Sequence, residues 1–152
     1  MEVRAATVDD ERTIWNLLME HFYECAFHEL DRNKSYQTLH DVVVRGSAFV
    51  VVDQGKVVGS MGLDVFEPWW THNKKVQDVW VNISPDFRSL AAFKALVDRA
   101  IAFASEHDAE LFLCLNGTKD TGRKRVLYKR YMDELCQVYQ INYAGGRFAV
   151  EQ

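Results

Sequence analysis

Apolar positions change their period several times along the chain, and each change marks an element. "EVRAA" reads as a short strand, and Thr7, Asp9 and Asp10 then offer capping oxygens ahead of the series Ile14, Leu17, Leu18, Phe22. A first helix is expected from near Asp9. Leu39, Val42 and Val43 give an apolar side to a second helix from about Lys34 to Arg45, which Gly46 ends. "SAFVVV" and "KVVGSMGLDVF" are rich in β-branched residues and flank Asp53-Gln54-Gly55, the pattern of a hairpin. "EPWWTHNKK" follows, with Pro68 and two adjacent tryptophans in a polar setting, and reads as a covering loop. "VQDVWVNI" is a further strand.

From Ser89 the period lengthens to about 3.6, and Leu90, Phe93, Val97, Ala100, Ile101 and Ala104 form one stripe of a helix that ends near His107. "ELFLCLN" reads as a short buried strand, Arg123 to about Gln137 as a helix, and "VYQINY" with "RFAV" as a last hairpin around Gly145-Gly146. The order is strand, two helices, three strands, helix, strand, helix, two strands. That is a mixed α/β layout with a strand-helix-strand crossover in the middle.

Composition narrows the function classes. With 152 residues, 48% of them hydrophobic and 12% aromatic, the chain fills one core and is expected to form a single domain. A formal charge of -4 argues against broad attraction to nucleic acid or anionic lipid. No apolar run approaches membrane-spanning length, and "MEVRAATVDDERT" carries acids where a signal peptide needs a basic and then an apolar stretch, so a cytoplasmic protein is expected. Cys25, Cys114 and Cys136 show no paired spacing and are read as buried free thiols.

The stretch "WVNISPDFRSLAAFKAL" stops a strand at a helix start, where free N–H groups and the positive end of a dipole suit an anion. Ile83-Ser84-Pro85-Asp86-Phe87-Arg88, then Ser89-Leu90-Ala91-Ala92-Phe93, resembles the V-x-P-x-x-R-G-x-G-x-G/A signature of the GNAT (GCN5-related) N-acetyltransferases, whose element order the chain also follows. Ser89, Ala91 and Phe93 stand where that family mostly has small residues. The arrangement with two tryptophans before the strand is similar to acetyltransferase-like proteins carried by phages. The resemblance implies a mixed sheet of about six to seven strands flanked by about four helices. It implies acetyl-CoA as co-substrate, no metal, and an amine acceptor.

Acetyl transfer to an amine requires an uncharged amine, stabilisation of an oxyanion and a proton for the leaving thiolate. By resemblance, backbone groups of Asn82 and Ile83 meet the oxyanion and the pantetheine arm, while Arg88, Ser89, Leu90, Ala91, Ala92 and Phe93 hold the pyrophosphate. Phe93 lies on the apolar stripe, so its ring is expected in the core. The family's thiolate acid falls on Tyr128, in Leu127-Tyr128-Lys129-Arg130. Asp78 alternates with Trp80 and Asn82 on one strand face and is one candidate base; Glu67 at the loop entrance is the other. Glu67, Trp70 and Trp80 are the expected acceptor-side residues.

Other features compete. His21, Cys25 and His28 share a helix face at metal-capable spacing, but only three ligands are local and no paired motif supports them. "GRKRVLYKR" concentrates Arg123, Lys124, Arg125, Lys129 and Arg130, fit for the cofactor's phosphates, an acidic partner or solvent. The competing class is a non-catalytic protein-interaction module on the same fold. A protein partner and a homodimer stay open.

Overall fold

The computed structural model describes residues 1–25, 30–114, 121–130, 132, 143–144 and 147–148. The chain divides into two compact units, Met1–Thr121 and Gly122–Gln152. In the first, β1 (Glu2–Ala5), β2 (Ala48–Asp53), β3 (Lys56–Phe66), β4 (Lys75–Ile83) and β5 (Glu110–Phe112) form one sheet in that spatial order. β1 to β4 pair antiparallel; β5 joins β4 in parallel. The β2–β3 hairpin closes on Gln54 and Gly55, both at positive φ, as a two-residue turn that follows the sheet's twist requires.

Helices cover both faces. α1 (Glu11–Cys25) and α2 (Arg32–Val44) lie on one, where Ile14, Leu39, Val42 and Val43 pack with Ala48 and Val50. α3 (Leu90–Glu106) lies on the other, where Leu96, Ala100, Phe103 and Ala104 pack with Phe49, Val51, Leu63 and Val76. Because β2 is buried on both faces, its run Phe49-Val50-Val51 is continuously apolar. Asp31 caps α2 by accepting from the Lys34 N–H at 3.0 Å, so this helix starts two residues before the expected Lys34.

The entry to α1 is set by a buried carboxylate. A 3-10 turn, Val8–Asp10, precedes the helix, and Asp10 accepts from the Thr7 N–H at 2.8 Å and from both Arg4 guanidinium nitrogens at 2.7 and 2.9 Å. The Arg4 hydrogen bonds outweigh the cost of burial and hold the Asp10 carboxyl down at about 2, from its ordinary 3.8. A folded-state pKa below the unfolded one adds stability that is present above about pH 4 and is lost as the pH falls toward 2. Arg4 is 40% exposed, so solvent screening leaves on the order of 1 kcal/mol. Thermal melts of wild type and Asp10→Asn should therefore differ at pH 7 and converge between pH 4 and 2. A gap that stays constant over that range would show that Asp10 titrates as it does when unfolded.

α4 (Thr121–Lys129) begins at the last residue of the first unit, and the rest of it lies in the second with a two-stranded ladder of β6 (Tyr143–Ala144) and β7 (Arg147–Phe148). The element order is the expected one, but the sheet is not: it has five strands and three flanking helices in place of six to seven strands and four helices. Among the described residues β6 and β7 pair with each other as a separate ladder and add no strand to the five-stranded sheet.

Candidate functional site

β4 carries the site, and its two edges behave differently. Its ladder with β3 runs from Lys75 to Ile83, whereas pairing with β5 covers Lys75, Val76 and Gln77 alone. Among the described residues, no strand pairs with β4 beyond Gln77 on the β5 side, and the carbonyl of Ile83 at its end is taken by a side chain. At the point of divergence Asp78 Oδ1 accepts from the Cys114 N–H at 2.7 Å, clasping the two strands where their ladder ends.

Past Ile83 the chain makes a 3-10 turn, Pro85–Phe87, before α3. Pro85 suits its first position, having no N–H to leave unpaired. Ser89 is the N-cap of α3, and its Oγ accepts from the Ala92 N–H at 3.2 Å. The N–H groups of Leu90 and Ala91, in the first turn, have no acceptor within the helix. Arg88 folds back across the turn and its Nε donates to the Ile83 carbonyl at 3.1 Å. Phe93 is 6% exposed, so its ring is in the interior and stays out of the approach to the helix start.

A β-bulge alters the expected faces of β4. Gly62 lies opposite Trp80 and Leu63 opposite Asp78, so one residue on β3 spans two steps of β4. Val76 packs in the α3-side core and Trp80 against the α1/α2-side core, although four positions separate them. Strict alternation would keep both on one face. Asp78 therefore does not continue the face of Trp80 and Asn82 as the sequence suggested; it pairs with Leu63 of the α3 side.

Trp80 and Asn82 belong to a buried polar chain that the sequence reading missed. Trp80 Nε1 donates to Ser60 Oγ at 3.1 Å, and Ser60 Oγ donates to Asn82 Oδ1 at 2.6 Å. The one sequence signal is a serine inside an otherwise apolar strand, "VVGSMGL". The indole lies flat over Gly62, where a Cβ would sit 2.5 Å from ring carbons Cε3 and Cη2. Gly62→Ala should accordingly displace Trp80 and cost about 1–3 kcal/mol of stability, read as a lower Tm. An unchanged Tm would mean that the ring shifts freely and the chain is loosely held.

The remaining candidates are peripheral or lie elsewhere. Trp69 is 93% and Trp70 62% exposed, and their rings meet edge to face at 5.7 Å. Neither ring belongs to a core cluster. Glu67 is exposed, with His72 Nδ1 at 3.7 Å. A groove of about 210 Å3 opens between Asn16, Leu17 and Glu20 of α1 and Val57, Ser84 and Phe87. Cys114 is exposed, contrary to the expected buried thiol, because β5 ends at Phe112. Tyr128 lies in α4 and is buried; Arg125, Lys129 and Arg130 are exposed. His28 and Cys136 fall outside the described residues, and among those described no helix is long and apolar enough to cross a membrane.

Comparison with known proteins follows this geometry. A model of the acetyltransferase (GNAT) family matches residues 12–132, a span that runs through both units. No curated protein matches the sequence. Among solved structures, a GCN5-related N-acetyltransferase from Ralstonia eutropha JMP134 superposes with a TM-score of 0.72 at 21% identity, over 95% of this chain and 99% of that one. The ribosomal-protein-alanine N-acetyltransferase from Brucella melitensis biovar Abortus 2308 gives 0.71 at 18%, over 95% and 98%. An aminoglycoside acetyltransferase from an uncultured soil metagenomic sample gives 0.68 at 15%, over 94% and 95%. At such identities the likeness is one of fold.

Proposed function

The chain belongs to the acetyltransferase (GNAT) family, and from that membership we propose that it is an acetyl-CoA-dependent N-acetyltransferase acting on a primary amine of a small molecule or protein. The observation that carries the reading is the family match across residues 12–132, which spans β4, the turn and α3 together. We take the whole chain as one cytoplasmic acetyltransferase domain. A phage-borne source rests on the Trp69-Trp70 loop alone.

In this reading the open edge of β4 at Asn82 and Ile83 receives the pantetheine arm and the thioester oxygen. The α3 start, with the free N–H groups of Leu90 and Ala91, takes the pyrophosphate, flanked by Arg88, Ser89, Ala92 and Phe93. The acceptor nitrogen attacks the thioester carbonyl, the C–S bond breaks, the amine proton passes to Asp78 or Glu67, and Tyr128 gives its proton to the sulfur. Oδ1 of Asp78 is engaged with Cys114, so Asp78 would act through its other oxygen or through water. Trp70 and Trp80 stand on the acceptor side.

One observation favours a second reading, a non-catalytic interaction module. Ser89 Oγ already occupies the Ala92 N–H, so the turn offers one donor fewer than an uncapped helix start. Calorimetric titration with CoA, followed by thiol release from acetyl-CoA against polyamines, aminoglycosides, amino acids and protein N-termini, separates the two. Binding with turnover supports the enzyme. Binding without acetylation of the panel or of a cell lysate supports the module, and no binding at millimolar CoA overturns the cofactor assignment.

A further inference from the structure

Among the described residues Asn82 Nδ2 is the buried side-chain polar atom left without a hydrogen-bond partner. Asn82 is 5% exposed, and a buried amide with unmade hydrogen bonds is costly, so its retention asks for a reason. The chain of donors fixes which end of the amide is unpaired. The Trp80 indole can only donate, and it donates to Ser60 Oγ; Ser60 passes its single hydroxyl proton to Asn82 Oδ1. The amide oxygen is thereby used, and both N–H bonds of Nδ2 remain. Turning the amide over would leave the Ser60 proton without its acceptor in this trio.

Position supplies the rest. Asn82 sits in the stretch of β4 whose β5-side edge is open, and its side chain lies with Trp80 and Ser60 on the α1/α2 face, the one α3 does not fill. Resting on the acetyltransferase reading, we propose that the Asn82 amide is a specificity-determining donor for the acceptor. It takes an oxygen of the amine substrate, a carbonyl or a hydroxyl. An acceptor of that kind completes the donor chain that starts at Trp80, whereas a plain alkylamine leaves Nδ2 unpaired; a site built to bond an oxygen discriminates against the analogue that lacks it. Nδ2 is sealed from solvent, so an oxygen reaches it only once side chains on the α1/α2 face have moved.

The test uses the full chain labelled with 15N, with and without saturating CoA. The Asn82 side-chain NH2 pair is identified by its loss in Asn82→Asp, and glycinamide, ethanolamine and propylamine are titrated in turn. Glycinamide or ethanolamine should shift the pair while propylamine does not; which of the two does so tells carbonyl from hydroxyl. In turnover, kcat/KM for the oxygen-bearing amine relative to propylamine should fall about tenfold from wild type to Asn82→Leu, a comparison in which the differing amine basicities cancel. A change in CoA affinity cancels in the same ratio. An NH2 pair indifferent to both oxygen-bearing amines, or a ratio unchanged in Asn82→Leu, overturns the inference. Absence of CoA binding would instead overturn the acetyltransferase reading. The wild-type titration decides the matter even if Asn82→Leu fails to fold.

Discussion

Ala91→Glu should remove CoA binding while leaving the fold intact. Ala91 is exposed in the first turn of α3, where its N–H has no partner in the helix and a bound pyrophosphate would come closest. A carboxylate there adds like charge and bulk against a doubly charged ligand. For the helix itself the same carboxylate is favourable, because a negative charge in the first turn complements the dipole by about 0.3–1 kcal/mol. Affinity and stability are thus expected to move in opposite directions. We expect affinity to fall by about a hundredfold or more, equivalent to roughly 3 kcal/mol, and the CoA-induced rise in Tm to vanish. The Tm without CoA should hold or rise slightly. Calorimetry and thermal shift on the same two proteins check all three. Normal CoA affinity in Ala91→Glu would move the site away from this turn.

Tyr128→Phe should lower turnover about a hundredfold without changing CoA affinity. The substitution keeps the buried ring of α4, and so most of its packing, and removes the proton proposed for the thiolate. A phenol near pKa 10 and a thiol near 8.5 are close enough for transfer in a site that holds the proton. General acid catalysis is worth about a hundredfold or more, roughly 3 kcal/mol, whereas one lost hydroxyl contact costs about 1 kcal/mol. The two explanations therefore separate on magnitude and on the parameter affected. Single-turnover rates with saturating acetyl-CoA give the first, and calorimetry gives the second. An equally active Tyr128→Phe leaves water or another side chain to protonate the sulfur.

The elements and their order were legible because they rest on local physics. The helix expected from Ser89 is α3, and Phe93, Val97, Ala100 and Ala104 of its apolar stripe are buried; Leu90 and Ile101 are exposed instead, and Leu96 and Phe103, which the stripe left out, are buried in the core. Asp53-Gln54-Gly55 marked a hairpin because it interrupts two β-branched runs and ends in a glycine, which takes positive φ without strain. The turn after Ile83 was visible for the same reason: proline, a short polar cap and a change of period are neighbours in the chain.

Tertiary structure decided what pairs with what. No local signal reports that β4 leaves β5 after Gln77, since that depends on where residues more than thirty positions away run. The bulge opposite Gly62 and Leu63 turned Asp78 away from Trp80 and Asn82, because alternation read along a strand assumes a ladder without an extra residue. Ser60, Trp80 and Asn82 became one hydrogen-bonded chain, and Gly62 a seat for the indole, through cross-strand register alone. Periodicity records which side chains leave water. Which of them then meet is set by strand pairing, and that is how the buried amide of Asn82 came to lie beside the open edge of β4.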